Sequence, residues 1–391
     1  MSILFEPKKI GTLLVKNRLV RAPTVEKMAT DDGRCTPKLM DLYTRLAEGG
    51  IGMIITGGAY TQGNGKGLPK KIGLHRDEVI DGYKKLTDRI HQYGVKVIAQ
   101  LVHCGRQGTV EVVGETPIAP SAVPNVLGVT PIAMNAQQIS EAIDNFIRAA
   151  ERAKLAGFDG VQIHAAHGYL IHEFLSPRTN RRTDDWGGTF EKRMRFLIEI
   201  YQGIRKHLGK DYPVLLRMNS NDYLEDGLGV EDAARIAERM SSLGIDGIEI
   251  SAGTWETHFY MSRGDIPQNY WLYTRATGED KERIKEKLTH TARQVRFKEA
   301  YLLEYAGKIK KIISCPLILV GGMRTVRMME KILLEGSADF ISMCRPLIRE
   351  PEFPNLIRRG LVERSTCLNC NLCLTDKPVA CYQMGYRPPH F

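Results

Sequence analysis

Two histidines and a tyrosine fall within six residues in His164-Ala165-Ala166-His167-Gly168-Tyr169. Imidazole N–H groups aimed at one point can hold a carbonyl or anionic oxygen of a ligand. A phenol beside them can deliver a proton. Gly168 allows the turn that such a cluster needs. Metal binding is a competing reading, because His164, His167 and His172 could all supply nitrogens. No Asp, Glu or Cys beside them completes an obvious ligand set. Satisfied polar groups of a core are the third reading.

Other polar residues also follow apolar runs. Gln100 lies in Gln100-Leu101-Val102-His103, and a carboxamide that donates and accepts suits the edge of a heterocycle. Arg217 closes another run. The turns Val320-Gly321-Gly322-Met323-Arg324 and Met343-Cys344-Arg345 follow two more. Turns of this kind, with a helix start behind them, suit a phosphate.

Those residues need a scaffold. Eight short β-branched runs recur, at 17–22, 52–56, 95–102, 160–164, 214–218, 247–251, 317–320 and 339–343. Several are almost wholly apolar, as strands buried on both faces are. Between them, 38–47, 80–93, 139–156, 190–208, 233–243 and 326–334 carry apolar residues three and four apart, which predicts helices. Gly49, Gly94, Gly157, Gly209, Gly244 and Gly336 mark their ends.

Eight βα units predict an α/β fold, a single (β/α)8 TIM barrel with its active site at the C-terminal strand ends. Insertions are expected at 103–136, after the third strand, and at 254–300, after the sixth, with helical character from Glu279. The barrel is expected to occupy 1–360, with a Cys-rich C-terminal extension, 361–391, packed on it. An open doubly wound sheet is the weaker alternative, since no Gly-x-Gly-x-x-Gly follows an early strand.

The stretch His164 to Pro177 resembles the signature of the old yellow enzyme family of FMN-dependent ene-reductases. Asn180-Arg181-Arg182-Thr183-Asp184-Asp185-Trp186-Gly187-Gly188 continues the resemblance. So do the opening Leu4-Phe5-Glu6-Pro7, Gln100 to Arg106, and Arg345-Pro346-Leu347-Ile348. The chain is also similar to the barrel half of 2,4-dienoyl-CoA reductases. Those continue into FAD- and pyridine-nucleotide-binding domains, and this sequence stops at Phe391.

The resemblance implies FMN, with NAD(P)H as reductant and a small enone or enoyl compound as substrate. His164 and His167 would bind the activating carbonyl, and Tyr169 would protonate the α-carbon after hydride reaches the β-carbon. Pro23, Thr24 and Gly58 would line the flavin ring, Gln100 its pyrimidine edge, and Arg217 the ring and ribityl chain. Gly322, Met323, Cys344 and Arg345 would surround the phosphate. The pyridine nucleotide would leave before the enone enters, one flavin face serving both. Two positions depart from the family. Val25 stands where Thr or Cys usually tunes the flavin, leaving Thr24 or Glu26 to act instead. Cys344 stands where a glycine is common.

The last residues carry Cys367-x2-Cys370-x2-Cys373-x7-Cys381. Four thiolates so spaced can bind an iron–sulfur cluster, such as 4Fe-4S, or zinc. Free thiols are the remaining reading. The dienoyl-CoA reductases hold a cluster in a similar place with wider spacing.

Composition sets the outer bounds. Of 391 residues, 43% are hydrophobic and 26% charged, which excludes a disordered chain. The net charge of +10 is spread along the sequence, and its densest cluster, Arg178 to Arg182, has no interleaved aromatics, so no nucleic-acid partner is expected. No apolar run approaches a membrane span and no export signal opens the sequence, so a cytoplasmic, homo-oligomeric enzyme is expected. An isomerase or aldolase barrel would need a lysine or acid pair at a strand end, and none is apparent. A flavin redox sensor using the C-terminal cysteines is the non-catalytic rival.

Overall fold

The structure is a computed structural model that describes residues 2–267, 282, 286 and 290–383. Eight parallel strands form the barrel: β1 (Leu19–Arg21), β2 (Met53–Ile55), β3 (Lys96–Val102), β4 (Gly160–Ala165), β5 (Val214–Asn219), β6 (Gly247–Ser251), β7 (Leu317–Val320) and β8 (Phe340–Met343). Each pairs with the next, and β8 pairs with β1, so the sheet closes on itself. The expected (β/α)8 barrel is therefore what the chain forms.

Helices follow each strand: α1 (Pro37–Glu48), α2 (Ile80–His91), α3 (Ala136–Leu155), α4 (Phe190–Leu208), α5 (Val230–Ser242), α6 (Leu303–Lys310), α7 (Val326–Leu334) and α8 (Phe353–Arg358). Their starts have local causes. Thr36, Thr189 and Thr325 each accept a backbone N–H three residues on. Asn135 and Gln138 form a reciprocal capping box on α3. One expected stop moves by a residue. Gly49 keeps a right-handed φ of −65°, and Gly50, at +91°, makes the left-handed turn.

The strand period of two sorts the barrel interior into layers. Val20, Met53, Ile55, Ile98, Leu215, Ile318 and Phe340 form a dry floor. Ile10 and Val15 close it from below, on an N-terminal hairpin (Lys8–Ile10 with Leu13–Val15) that the periodicity did not anticipate. Two residues further along the strands the layer turns polar, with Gln100, Gln162, Arg217, Glu249 and Ser342 all buried.

Both insertions lie on the C-terminal face. The one after β3 contains a short helix (Val110–Val113) and a two-stranded pairing of Ile118–Ala119 with Ile132–Ala133. The one after β6 contains the helix His258–Met261. The expected helix start at Glu279 lies outside the described residues, although 290–294 are helical. Residues 363–379 lie along the same face, bonded to Val326, Arg324, Asp265 and Glu26 through their backbones. Among the described residues no helix is long and apolar enough to cross a membrane.

Candidate functional site

A cavity of about 500 Å³ opens at the C-terminal ends of the strands. Its wall contains Pro23, Thr24, Gly58, Gln100, His164, His167, Tyr169, Arg217, Gly322, Met323, Cys344 and Arg345. Every residue that the resemblance assigned to substrate or flavin is thus brought to one place.

The rings of His164, His167 and Tyr169 sit where β4 ends. His167 has φ +65° and Gly168 φ +77°, two successive left-handed residues that turn the chain back over the strand end. A side chain at such a φ is uncommon and costs of order 1–3 kcal/mol, a strain the surrounding bonds must hold. They do: Asn219 accepts the His167 N–H at 3.3 Å, and Gln107 donates to the Gly168 carbonyl at 3.1 Å. The centroids of the His164 and His167 rings lie 5.2 Å apart, nearly perpendicular. The Tyr169 ring lies 5.0 Å from that of His164.

The tautomers follow from the bonds around the rings. Nδ1 of His164 accepts from the Ala166 N–H at 3.3 Å, which leaves the proton on Nε2. Nε2 of His167 lies 2.7 Å from the Ser251 hydroxyl, and that hydroxyl accepts from Arg217 at 3.2 Å. With Ser251 as the donor to Nε2, the proton of His167 sits on Nδ1 and faces the cavity. Burial, reinforced by the Arg217 charge, holds both imidazoles well below their usual pKa, so both are neutral donors. Burial pushes the Tyr169 phenol up to about 12, against a lowering hydrogen bond from Trp255.

The metal reading of the three histidines fails on this geometry. His172 lies beneath the turn, where Nε2 is 2.9 Å from Asp222 and Nδ1 accepts from the Gly168 N–H. It is a positioning residue.

Beneath the cavity runs a chain of bonds from strand to strand. Gln100 donates to Gln162 at 2.7 Å, and Gln162 donates to Glu249 at 3.1 Å. Arg217 and Ser342 also donate to Glu249, at 2.7 and 2.8 Å. Glu249 escaped the sequence reading, although an acid inside the otherwise uncharged run Gly247-Ile248-Glu249-Ile250-Ser251 was a visible anomaly. Lys71 escaped it too. It sits in the loop Pro69-Lys70-Lys71, which reads as a solvated face, yet it is only 2% exposed and lines the cavity.

The residues present fit FMN. The Nε of Arg217 is buried at the wall with no partner. A Cβ on Gly58 would come within 2.7 Å of Val102, so the wall there is bare backbone. Gly322, at φ +72°, turns the backbone after β7. Val25 lines the cavity and offers no hydrogen bond. Glu26 does not stand in for it, because it lies off the cavity wall, with Oε1 accepting from the Tyr43 hydroxyl and from the Gly57 N–H at 2.7 Å. Thr24 remains, with its hydroxyl 3.0 Å from the Cys344 sulfur.

The tail lends the cluster and zinc readings no support. Cys367, Cys370, Cys373 and Cys381 surround a void of about 20 Å³, shared with Arg345 and Arg349. Arg349 donates to the Cys381 sulfur at 3.6 Å. Among the described residues no three Cys, His, Asp or Glu side chains are placed to share a metal ion. Burial pushes the Cys373 thiol up to about 12.

Fold and site together define a (β/α)8 barrel with a histidine pair at the mouth of its cavity, whose lining would fit a flavin. Residues 3–263 and 274–364 match the NADH:flavin oxidoreductase / NADH oxidase family, and the chain belongs to it, that is, to the old yellow enzyme family. It is 36% identical to the NADH oxidase of Thermoanaerobacter brockii over 94% of this chain and 53% of that protein. It is 34% identical to the NADPH dehydrogenase of Bacillus subtilis, over 92% and 95% respectively. Among solved structures, a 2-naphthoyl-CoA reductase complex matches with a TM-score of 0.81 at 33% identity, covering 94% of this chain and 54% of that one. An old yellow enzyme homologue from Zymomonas mobilis matches with a TM-score of 0.74 at 26% identity, covering 93% and 94%. The chain spans about half the length of the NADH oxidase and of the naphthoyl-CoA reductase.

Proposed function

We propose that this protein is an FMN-dependent NAD(P)H oxidoreductase that reduces carbon–carbon double bonds conjugated to a carbonyl. The observation that carries the reading is the meeting of two neutral imidazoles and a protonated phenol at one cavity wall. Bound and reduced FMN supplies the hydride that the β-carbon receives. The chain supplies the rest. Nε2–H of His164 and Nδ1–H of His167 donate to the carbonyl oxygen, and their bonds tighten as enolate charge develops there. The Tyr169 hydroxyl delivers a proton to the α-carbon. Gln100 and Arg217 would hold the cofactor, with Arg217 fixed in place by Glu249. The four cysteines of the tail take no part in these steps.

The test is product labelling. Purified protein is loaded with FMN, given NADH or NADPH in D2O, and supplied with a cyclic enone. The expected product carries solvent deuterium at the α-carbon and unlabelled hydrogen at the β-carbon. A protein that binds FMN and oxidises NAD(P)H but leaves every enone unreduced would overturn this reading.

A further inference from the structure

The loop after β2 carries a buried cation that the mechanism leaves unused. Lys71 is 2% exposed, and its side chain lines the cavity beside Tyr169. Its ammonium lies 5.4 Å from the centre of the Tyr169 ring, over the face. Among the described residues nothing gives it a hydrogen bond or a salt bridge. The negative groups nearby do not pair with it. Glu26 is already committed to Tyr43 and Gly57, and lies 3.7 Å from Arg21. Burial raises the Cys104 thiol to about 12, so it stays neutral.

The ammonium faces the cavity without a partner among the described residues, and burial lowers its pKa to about 8. The quadrupole of one aromatic face offsets only part of that burial cost. An arriving anion would recover the rest and hold Lys71 in its charged form. The field of Lys71 also reaches His103, which burial first and this charge second push down to about 3. The remaining wall nearby is apolar, from Leu68, Pro69, Val102 and Trp255, so an anion there would be recognised in a low dielectric.

We infer that Lys71 forms an anion subsite, and that the substrate bears a carboxylate or similar anionic group beside the carbon that Tyr169 protonates. This group is distinct from the carbonyl held by His164 and His167. The inference rests on the proposed reduction chemistry, and the subsite deepens it by naming the substrate class.

The probes are an enone with a carboxymethyl arm on its α-carbon, the methyl ester of that compound, and the saturated forms of both. Wild type, Lys71→Met and Lys71→Arg are compared. Dissociation constants of the saturated acid and ester come from perturbation of the bound flavin's absorbance, without turnover. KM and kcat come from the unsaturated pair. The expected result is a preference for acid over ester in wild type. In Lys71→Met the acid-to-ester ratio of Kd and of KM should rise about 10- to 100-fold, the worth of a charge-assisted hydrogen bond. Lys71→Arg should recover part of it. Equal treatment of acid and ester by wild type would overturn the subsite. So would an equal fall in kcat for both in Lys71→Met, which would mean that the charge acts through Tyr169. If the saturated acid binds through Lys71 but neither compound is reduced, the subsite stands and the proposed chemistry fails.

Discussion

Arg217 and Glu249 meet at 2.7 Å inside the barrel, and both side chains are almost wholly withdrawn from solvent. They stand opposite each other on β5 and β6, in the polar layer above the dry floor. Glu249 also accepts from Gln162 and Ser342, and Arg217 reaches Ser251, which bonds Nε2 of His167. One carboxylate thus sets both the cofactor-side cation and the substrate-side imidazole.

Removing that carboxylate should be severe. Glu249→Ala would leave the Arg217 charge buried without its partner, a loss of about 3–5 kcal/mol. Glu249→Gln keeps the volume and an acceptor and should cost less. Urea unfolding of the FMN-free proteins measures both. Equal stability of all three would show that Arg217 finds another partner.

The phenol is tested by Tyr169→Phe. Loss of the general acid should slow reoxidation by enones by about 100- to 10,000-fold. Reduction of the flavin by NAD(P)H needs no proton from Tyr169 and should change little. Stopped-flow measurement of the two half-reactions separates these. Equal slowing of both would assign Tyr169 to binding or structure.

The barrel was legible because its strands are β-branched, its helices amphipathic and its loops rich in glycine. The site was legible where a motif is contiguous, as in residues 164–169, or where a turn follows a strand, as at Gly322 and Arg345. Glu249 and Ser342 stayed hidden because they act across the barrel, in a layer visible only once the strand register is known. Lys71 stayed hidden because burial of a loop lysine depends on what packs over it. The cysteine spacing pointed to a metal, whereas the placement of those side chains depends on Arg345 and Arg349 entering the same void.

Acid should destabilise the protein in a defined window. His164 and His167 are held well below 6.5 by burial first, and burial likewise pushes His103 to about 3 and His258 to about 4. As pH falls through 6.5 the unfolded chain takes up these protons and the folded chain does not. Stability therefore falls with pH, by about 1.4 kcal/mol per unit for each histidine. Glu173, raised to about 8 by burial, takes up its proton in the folded state first and offsets one histidine over the same range. Unfolding free energies at pH 7, 6 and 5 check the sum. A flat profile would mean that the imidazoles are hydrated in the folded state.

The last prediction concerns how the tail is fastened. Asn371 is 1% exposed and sits at φ +56°, a conformation that asparagine tolerates better than most residues. Its carboxamide accepts from Arg345 at 2.7 Å and donates to the Ser262 and Asp265 carbonyls at 2.7 and 3.0 Å. One side chain therefore ties the tail, the insertion after β6 and the arginine expected at the phosphate. Asn371→Ala strands two buried carbonyls and part of a guanidinium, each a loss of about 1–3 kcal/mol. It also keeps a side chain at a φ that alanine dislikes. Residues 361–383 should become more sensitive to protease, and FMN should bind more weakly as Arg345 loses its support. Asn371→Gly relieves the backbone and isolates the hydrogen bonds. Limited proteolysis and FMN titration read the two effects separately. Unchanged proteolysis in both variants would place the anchor elsewhere, in the backbone bonds from Ser365 to Arg324 and from Val379 to Glu26.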